Sequence, residues 1–278
     1  MSQDLSLSIQ GADVPKIGFG TWQLTGQDCV AGVAEALRAG YRHLDTARAY
    51  ENEREVGQGL RESGVARDEV WITSKLWTSS FTRDRALRSA EKSLEALGVD
   101  SIDLYLLHWP NPEVPLAETL GALSELQDDG RIRHIGVSNF TLALVEEALQ
   151  HAPIFANQVE YHPYLGQDRL LDQAREHDLL LEAYSPFAHG RLHDDPVLTE
   201  IGEAHGKSAG QVALRWLIDQ PNVCALPKAT APERIRENLD VFDFSLSDDD
   251  RRRIDGLERG ERTANPSWAP AWDEPSRR

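Results

Sequence analysis

The 278-residue chain has few cysteines and no long apolar run, and each shortage excludes a class of protein. Its two cysteines, Cys29 and Cys224, belong to no Cys-x-x-Cys motif. We interpret both as buried small residues in a reducing, cytoplasmic compartment rather than as a disulfide or a metal site. No apolar stretch reaches the roughly 18 residues that a membrane span needs. The first nine residues lack the basic and apolar segments of a signal peptide, so we expect none.

Basic residues are also scarce: 46 acidic residues stand against 29 basic ones, and the net charge is −17. Lysine occurs only at positions 16, 75, 92, 207 and 228, so most basic residues are arginine. A chain this acidic repels nucleic acid and anionic membranes, and we expect neither as a partner. Its surface fits either a protein of concentrated salt, where repulsion is screened, or an ordinary acidic cytosolic protein. The sequence leaves both interpretations open.

Strand and helix patterns alternate regularly along the chain. Eight short apolar stretches predict strands at 18–22, 41–45, 70–76, 103–107, 133–138, 157–160, 179–184 and 223–226. The patterns that follow them predict helices at 28–39, 53–63, 82–97, 116–129, 141–149, 167–177, 195–205, 208–219 and 232–240. Repeated strand–helix units imply parallel pairing, and eight of them imply a closed (β/α)8 TIM barrel rather than an open sheet. We therefore predict one α/β domain over 1–278.

Two segments lie outside this repeat. At the start, 5–9 and 14–17 flank a turn, which predicts an N-terminal β-hairpin that plugs the bottom of the barrel. After the eighth unit, Ser247 followed by three aspartates predicts the N-cap and first turn of an extra helix. The tail, 260–278, predicts no regular structure. Two tryptophans in the tail favour packing over the barrel mouth, and a disordered end is the alternative.

Four polar residues, Asp45, Tyr50, Lys75 and His108, lie at or just after predicted strand ends. The active sites of such barrels form at the C-terminal ends of the strands, so the four are expected to meet. A lysine beside a tyrosine lowers the phenol pKa, and a carboxylate keeps the lysine charged. Such a group can give a proton to a carbonyl oxygen that His108 orients. Alternatively, Asp45–Lys75 is a plain buried ion pair and His108 a core histidine.

Three tryptophans, Trp22, Trp77 and Trp109, also follow strands at this rim. Each by itself is compatible with core packing. Together they predict a dry pocket suited to apolar or aromatic aldehydes.

The common phosphate-binding loops are absent, since the sequence has neither Gly-x-Gly-x-x-Gly after a strand nor a P-loop motif. The segment 226–238 offers an alternative. Pro232 can occupy the first position of a helix, and Lys228 and Arg234 flank its N-terminus. A helix N-terminus with two cations favours a phosphate site, although an ordinary surface helix would look similar.

The chain resembles the aldo-keto reductase family over nearly its whole length. The resemblance rests on blocks that occur in the family's order: 18–22 (Gly-Phe-Gly-Thr-Trp), 40–47 (Gly-Tyr-Arg-His-Leu-Asp-Thr-Ala), 74–77 (Ser-Lys-Leu-Trp), 103–110 (Asp-Leu-Tyr-Leu-Leu-His-Trp-Pro), 136–140 (Gly-Val-Ser-Asn-Phe), 157–163 (Asn-Gln-Val-Glu-Tyr-His-Pro) and 183–186 (Ala-Tyr-Ser-Pro). The chain is most similar to the short prokaryotic branch of 2,5-diketo-gluconate and glyoxal or methylglyoxal reductases.

This resemblance implies the site residues and the cofactor, NADPH. By the match, Asp45, Tyr50, Lys75 and His108 form the catalytic tetrad, with Tyr50 as general acid. The implied cofactor residues are Ser138, Asn139 and Gln158 at the nicotinamide amide, Tyr184 stacked on the nicotinamide, Ser185 at the pyrophosphate, and Lys228, Thr230, Arg234, Glu237 and Asn238 at the adenosine and 2′-phosphate. We expect no metal.

Two positions depart from the family's pattern. Glu51 replaces the usual glycine after the catalytic tyrosine, and we expect this bulkier acid to reshape the pocket mouth. Ala229 replaces a common serine after the phosphate-binding lysine, which removes a hydroxyl contact and weakens the preference for NADPH over NADH. The resemblance further implies an open pocket for small aldehydes, ketoaldehydes or keto-sugar acids, in a protein that we expect to be monomeric. The alternative is a non-catalytic accessory or scaffold protein on the same fold.

Overall fold

The computed structural model describes residues 5–273. Ten strands are assigned: β1 Ser6–Ile9, β2 Ala12–Pro15, β3 Phe19–Gly20, β4 His43–Asp45, β5 Trp71–Leu76, β6 Ile102–Leu107, β7 Ile132–Ser138, β8 Ile154–Glu160, β9 Leu180–Tyr184 and β10 Val223–Leu226. The α-helices are α1 Gly26–Ala39, α2 Glu53–Ser63, α3 Arg83–Leu97, α4 Leu116–Asp128, α5 Leu142–Leu149, α6 Asp168–Glu176, α7 Pro196–His205, α8 Ala209–Ile218, α9 Pro232–Leu239 and α10 Asp248–Asp255. Four 3-10 helices lie at Arg48–Tyr50, Arg67–Glu69, Thr78–Ser80 and Ala188–Asp194.

The eight strands from β3 to β10 pair in parallel, in chain order, and form the predicted (β/α)8 barrel. The first and last strands join through backbone hydrogen bonds from Gly18 to Ala225 and from Gly20 to Pro227. A Cβ on Gly18 would lie 2.5 Å from the Leu226 side chain and 2.9 Å from the His43 ring, so a larger residue here would force these side chains to shift. The C-terminal ends of all eight strands therefore share one rim, as the strand-end residues require.

The N-terminal hairpin closes the opposite end of the barrel. Strands β1 and β2 pair antiparallel from Ser6↔Pro15 to Ile9↔Ala12. The buried side chains of Ile9 and Val14 pack in one apolar cluster with inward-facing residues of the barrel strands, among them Leu104, Leu106, Phe155, Leu180 and Cys224. The prediction of a hairpin that plugs the barrel bottom is confirmed.

Most predicted helices begin and end within a residue or two of the observed bounds, because capping residues in the sequence indicate where a helix starts and stops. Gly40 follows α1 in the left-handed conformation at φ 115°, and its N–H caps the helix carbonyls. The extra helix α10 begins with a capping box between Ser247 and Asp250, as predicted. None of the helices in residues 5–273 has the length and apolar character that a membrane crossing needs.

The tail has no regular structure from 260 to 273, and it packs over the barrel mouth. The indole of Trp268 makes edge contacts with Trp77 at 5.8 Å and Trp109 at 5.0 Å between ring centroids. Trp272 also lies against Trp109, at 6.0 Å. The remaining predicted tail, 274–278, and the first four residues lie outside the described part of the chain.

Candidate active site

A cavity of about 880 Å³ opens at the C-terminal rim of the barrel. Its lining includes twelve of the predicted site residues: Trp22, Asp45, Tyr50, Trp77, His108, Trp109, Ser138, Asn139, Gln158, Tyr184, Ser185 and Lys228. The four residues predicted from strand ends are thus brought together at this rim, with Lys75 buried directly beneath the lining.

Lys75 connects the polar residues at the floor of this cavity. It is fully buried one residue before the end of β5, and its Nζ donates to both carboxylate oxygens of Asp45 at 2.8 and 2.9 Å. The same Nζ donates to the Thr46 carbonyl at 2.8 Å and to the Tyr50 hydroxyl at 3.3 Å. One ammonium group therefore links the carboxylate and the phenol.

Burial and charge act in opposite directions on the two partners of this pair. Burial lowers the pKa of Lys75, but Asp45 and Tyr50 raise it by more, so the ammonium stays charged. Burial raises the pKa of Tyr50, and Lys75 offsets this only in part. Lys75 lowers the pKa of Tyr50, as expected, but desolvation of the phenol is the larger effect, and the net pKa is raised. Tyr50 therefore holds its proton at neutral pH.

His108 is neutral in this surrounding. Burial first, and the charge of Lys75 second, hold its pKa well below the usual value. The imidazole stands edge-on to the rings of Tyr50, at 5.6 Å, and Trp77, at 5.1 Å. These two rings fix the plane of the imidazole beside the phenol hydroxyl, so a neutral ring can present a hydrogen bond to a substrate oxygen.

The loop that carries Tyr50 is held by a residue that the sequence reasoning did not single out, Asn52. Its buried side chain donates to the carbonyls of Thr21 and Leu24 and accepts from Thr46. Glu51, between the two, adopts the left-handed conformation at φ 57°. Glu51 lines a second, neighbouring cavity and not the main one, and its effect on the active-site mouth stays a prediction.

A second buried carboxylate, Glu182, lies behind the site and was also missed. Gln158 donates from its Nε2 to Asp45 at 2.8 Å and to Glu182 at 2.9 Å. Burial, reinforced by Asp45, raises the pKa of Glu182 to about 8, so it is protonated at neutral pH. Ligand atoms of Glu182, His43 and Cys224 lie within 4.8 Å of one another. A glutamate in a strand is a common surface residue, and only the inward register of β9 distinguishes this one.

Polar residues at the ends of β7 and β9 form a second connected group. Tyr184 donates to Asn139 Oδ1 at 2.7 Å, and Asn139 Nδ2 donates to the His108 carbonyl at 3.1 Å. Ser138 donates to the Gln158 carbonyl at 2.9 Å. Asn139 has φ 63° and Ser185 has φ 50°, both left-handed. Strained backbone of this kind is concentrated at functional sites.

The residues predicted for the adenosine and 2′-phosphate lie at and beyond one end of the cavity. Lys228 lines the cavity and is exposed, whereas Thr230, Arg234, Glu237 and Asn238 lie outside its lining. Helix α9 begins at Pro232, as predicted, and its Arg234 pairs with Glu237 at 2.7 Å on the exposed surface. A phosphate that bound Arg234 would have to compete with this carboxylate.

The tail completes the cavity wall through Glu160, which the sequence analysis also missed. The Glu160 carboxylate accepts the backbone N–H groups of Thr263 and Ala264, both from 2.8 Å, and the Thr263 hydroxyl. Burial raises the pKa of Glu160, but hydrogen bonds from His162, Thr263 and Ala264 outweigh it and lower the pKa to about 2. Ala264, Asn265 and Pro266 thereby reach the cavity.

Aromatic rings form the outer wall, as predicted from Trp22, Trp77 and Trp109. Trp22 remains 44% exposed and Trp268, from the tail, 52% exposed. The pocket is therefore wide at its mouth and apolar along one side, while its floor is polar.

Comparisons with known proteins agree with this geometry. The family model described as "Aldo/keto reductase family" matches residues 16–259. A protein named glyoxal reductase from Bacillus subtilis is 45% identical over 260 residues, covering 92% of this chain and 94% of its own. An aldo-keto reductase of Mycolicibacterium smegmatis is 44% identical over 265 residues, covering 94% and 96%. The solved structure of a candidate 2,5-diketo-D-gluconic acid reductase B superposes with a TM-score of 0.95 at 44% identity, covering 97% of each chain.

Proposed function

The chain belongs to the aldo/keto reductase family, and from that membership we propose that it reduces small aldehydes, ketoaldehydes or keto-sugar acids to alcohols with NADPH, with Tyr50 as general acid. One observation carries the proposal. Lys75 donates at once to Asp45 and Tyr50 on the floor of a cavity large enough for a cofactor and a small substrate.

The cavity offers suitable groups for a nicotinamide dinucleotide. Lys228 lies at one end, and within residues 5–273 it forms no ion pair, so its ammonium is available to a phosphate. Asn139, Ser138 and Gln158 supply amide and hydroxyl groups for a carboxamide, and the Tyr184 ring forms a wall beside them. When bound, NADPH supplies a hydride for the carbonyl carbon. The left-handed Ser185 places backbone at the cavity where a pyrophosphate could lie.

The protein's own residues supply the proton and its direction. Tyr50 holds its proton at neutral pH and would donate it to the carbonyl oxygen. Lys75, kept charged by Asp45, would stabilise the phenolate that remains. The neutral His108 would hydrogen-bond the same oxygen and fix its position relative to Tyr50.

Substrate class follows from the shape and polarity of the cavity and from the relatives. The open mouth and the indoles of Trp22, Trp77 and Trp109 admit varied side groups. The relatives named for glyoxal and for 2,5-diketo-D-gluconic acid reduction favour small dicarbonyl compounds and keto-sugar acids.

We further assign the protein to the cytoplasm, which suits the buried free thiols of Cys29 and Cys224, and expect it to act as a monomer.

An absorbance assay of NADPH oxidation tests this function. We expect turnover with methylglyoxal and glyoxal, and faster oxidation of NADPH than of NADH at equal concentration. Folded protein that binds NADPH but turns over no aldehyde, ketoaldehyde or keto-sugar acid would contradict the proposal. Such a result would support the accessory or scaffold alternative, which the connected Asp45–Lys75–Tyr50 group disfavours.

A further inference from the structure

A second cavity of about 840 Å³ lies between α2 and α3, beside the 3-10 helix that carries Tyr50. The two helices approach closely here, because α2 has Gly57, whose missing side chain leaves room for the Leu97 carbonyl. Ala49 and Trp77 line both this cavity and the active-site cavity. The wall between the two cavities thus includes the segment next to Tyr50.

The lining of this second cavity is basic, although the protein as a whole is acidic. Five of its residues are cations: Arg48, Arg54, Arg85, Arg88 and Lys92. Two are carboxylates, Glu51 and Glu53. Glu53 is buried and already accepts hydrogen bonds from Ser74 and Arg48, which leaves Glu51 as the exposed acid.

Three of these cations are unpaired. Throughout residues 5–273, most arginines and lysines pair with a carboxylate or donate to a carbonyl, but Arg54, Arg88 and Lys92 do neither. Arg85, Arg88 and Lys92 follow one another at helical spacing along a single face of α3. Like charges at this spacing repel one another. With 46 acidic residues in the chain, this local concentration of unpaired positive charge is not a consequence of composition.

We propose that the second cavity binds a small anion that carries several phosphate groups. Guanidinium groups pair with phosphate oxygens in a bidentate manner, and Ser79, Ser80 and Ser89 add hydroxyl groups to the lining. The net charge of −17 repels an extended polyanion such as nucleic acid, so the ligand is short. The volume of the second cavity, about 840 Å³, lies in the range of small-molecule binding sites. This binding does not depend on the proposed reductase activity.

Calorimetric titration with inorganic tripolyphosphate, at low ionic strength and without divalent cations, tests the site. We expect saturable binding to the wild-type protein and a dissociation constant at least about tenfold larger for the R88Q/K92Q double variant. Arg169→Gln is the matched control, because Arg169 is an exposed, unpaired arginine on α6, away from this cavity. The R169Q variant should bind tripolyphosphate with the same affinity as the wild-type protein.

A further variant separates this site from the proposed cofactor site. Lys228→Gln should leave tripolyphosphate binding intact, since Lys228 lines only the active-site cavity of the two. The proposal is overturned if the wild type shows no saturable binding, if R169Q weakens binding as much as R88Q/K92Q, or if K228Q alone abolishes it. Tighter binding of citrate than of tripolyphosphate would overturn the assignment to phosphate.

Discussion

At the scale of single residues, Lys75 organises the site because one buried ammonium contacts both a carboxylate and a phenol. The sequence predicts this group, since Asp45, Lys75 and His108 each end an apolar strand. It does not predict the pKa of Tyr50, because burial of the phenol depends on walls contributed by distant segments. Glu160 and Glu182 escape prediction for a related reason: only the register of the closed barrel turns them inward.

Arg234 is the residue on which we expect cofactor preference to depend. In the proposed NADPH complex, alanine at this position would remove a charge-assisted contact to the 2′-phosphate, a class of contact worth about 1.5–3 kcal/mol. NADPH affinity should fall at least about tenfold, and NADH affinity should change little. Arg236→Ala is the control, because Arg236 lies on the same helix, is as exposed as Arg234 and is also paired, with Glu35, but is not among the predicted cofactor residues. Equal losses of affinity for NADPH and NADH, measured by fluorescence titration, would show that Arg234 does not bind the 2′-phosphate.

Glu51 has a left-handed backbone conformation, which is unfavourable for a residue that carries a Cβ atom. A non-glycine residue at φ 57° is strained, and glycine would relieve that strain at a small entropic cost. We expect Glu51→Gly to raise the free energy of unfolding by about 0.5–1 kcal/mol, measured by urea denaturation. The matched change Glu95→Gly, inside α3, should lower it by about 1 kcal/mol. A loss of stability in the first variant would refute the strain argument.

At the scale of elements, periodicity and caps predict the helices well, whereas irregular segments remain unpredicted. Helix α2 and strand β10 have the predicted bounds, and most other elements differ by a residue or two. The 3-10 helices at Arg48–Tyr50 and Ala188–Asp194 carry no periodic signal, because their conformations are set by contacts with the barrel rim. The tail is predicted only through its tryptophans, and its anchor on Glu160 is tertiary.

We expect the tail to loosen when Glu160 becomes glutamine. The change removes the negative charge that accepts hydrogen bonds from Thr263 and Ala264, and hydrogen bonds to charged groups contribute about 1.5–3 kcal/mol each. The free energy of unfolding should fall by about 2 kcal/mol, and trypsin should cleave after Arg259 and Arg262 faster. Glu147→Gln, at an exposed position of α5, is the control. Unchanged cleavage would mean that other contacts hold the tail.

At the scale of the whole molecule, the main electrostatic feature is the net charge of −17. Many arginines pair with carboxylates at the surface, including Arg83–Glu125, Arg131–Glu91 and Arg253–Glu200. Such solvent-exposed pairs contribute little to stability. The excess of 46 acidic over 29 basic residues leaves net repulsion that these pairs do not cancel.

We therefore expect the Tm to rise as KCl increases from low to molar concentration. Added salt shortens the screening length from about 10 Å at 0.1 M to about 3 Å at 1 M, which weakens repulsion among the carboxylates. Screening of surface ion pairs acts in the opposite direction but is smaller. Thermal melts followed by circular dichroism measure the balance. A flat or falling Tm would favour the interpretation as an ordinary acidic protein.

The most direct test of the account is the Tyr50→Phe variant, because it removes the hydroxyl that Lys75 contacts and little else. General acid catalysis typically contributes about 10²–10⁴ in rate, so reduction of methylglyoxal should fall by that factor. NADPH affinity, measured by fluorescence titration on the same preparation, should stay within about twofold of the wild type. A variant that binds NADPH normally and keeps more than about a tenth of the wild-type rate would show that Tyr50 is not the acid.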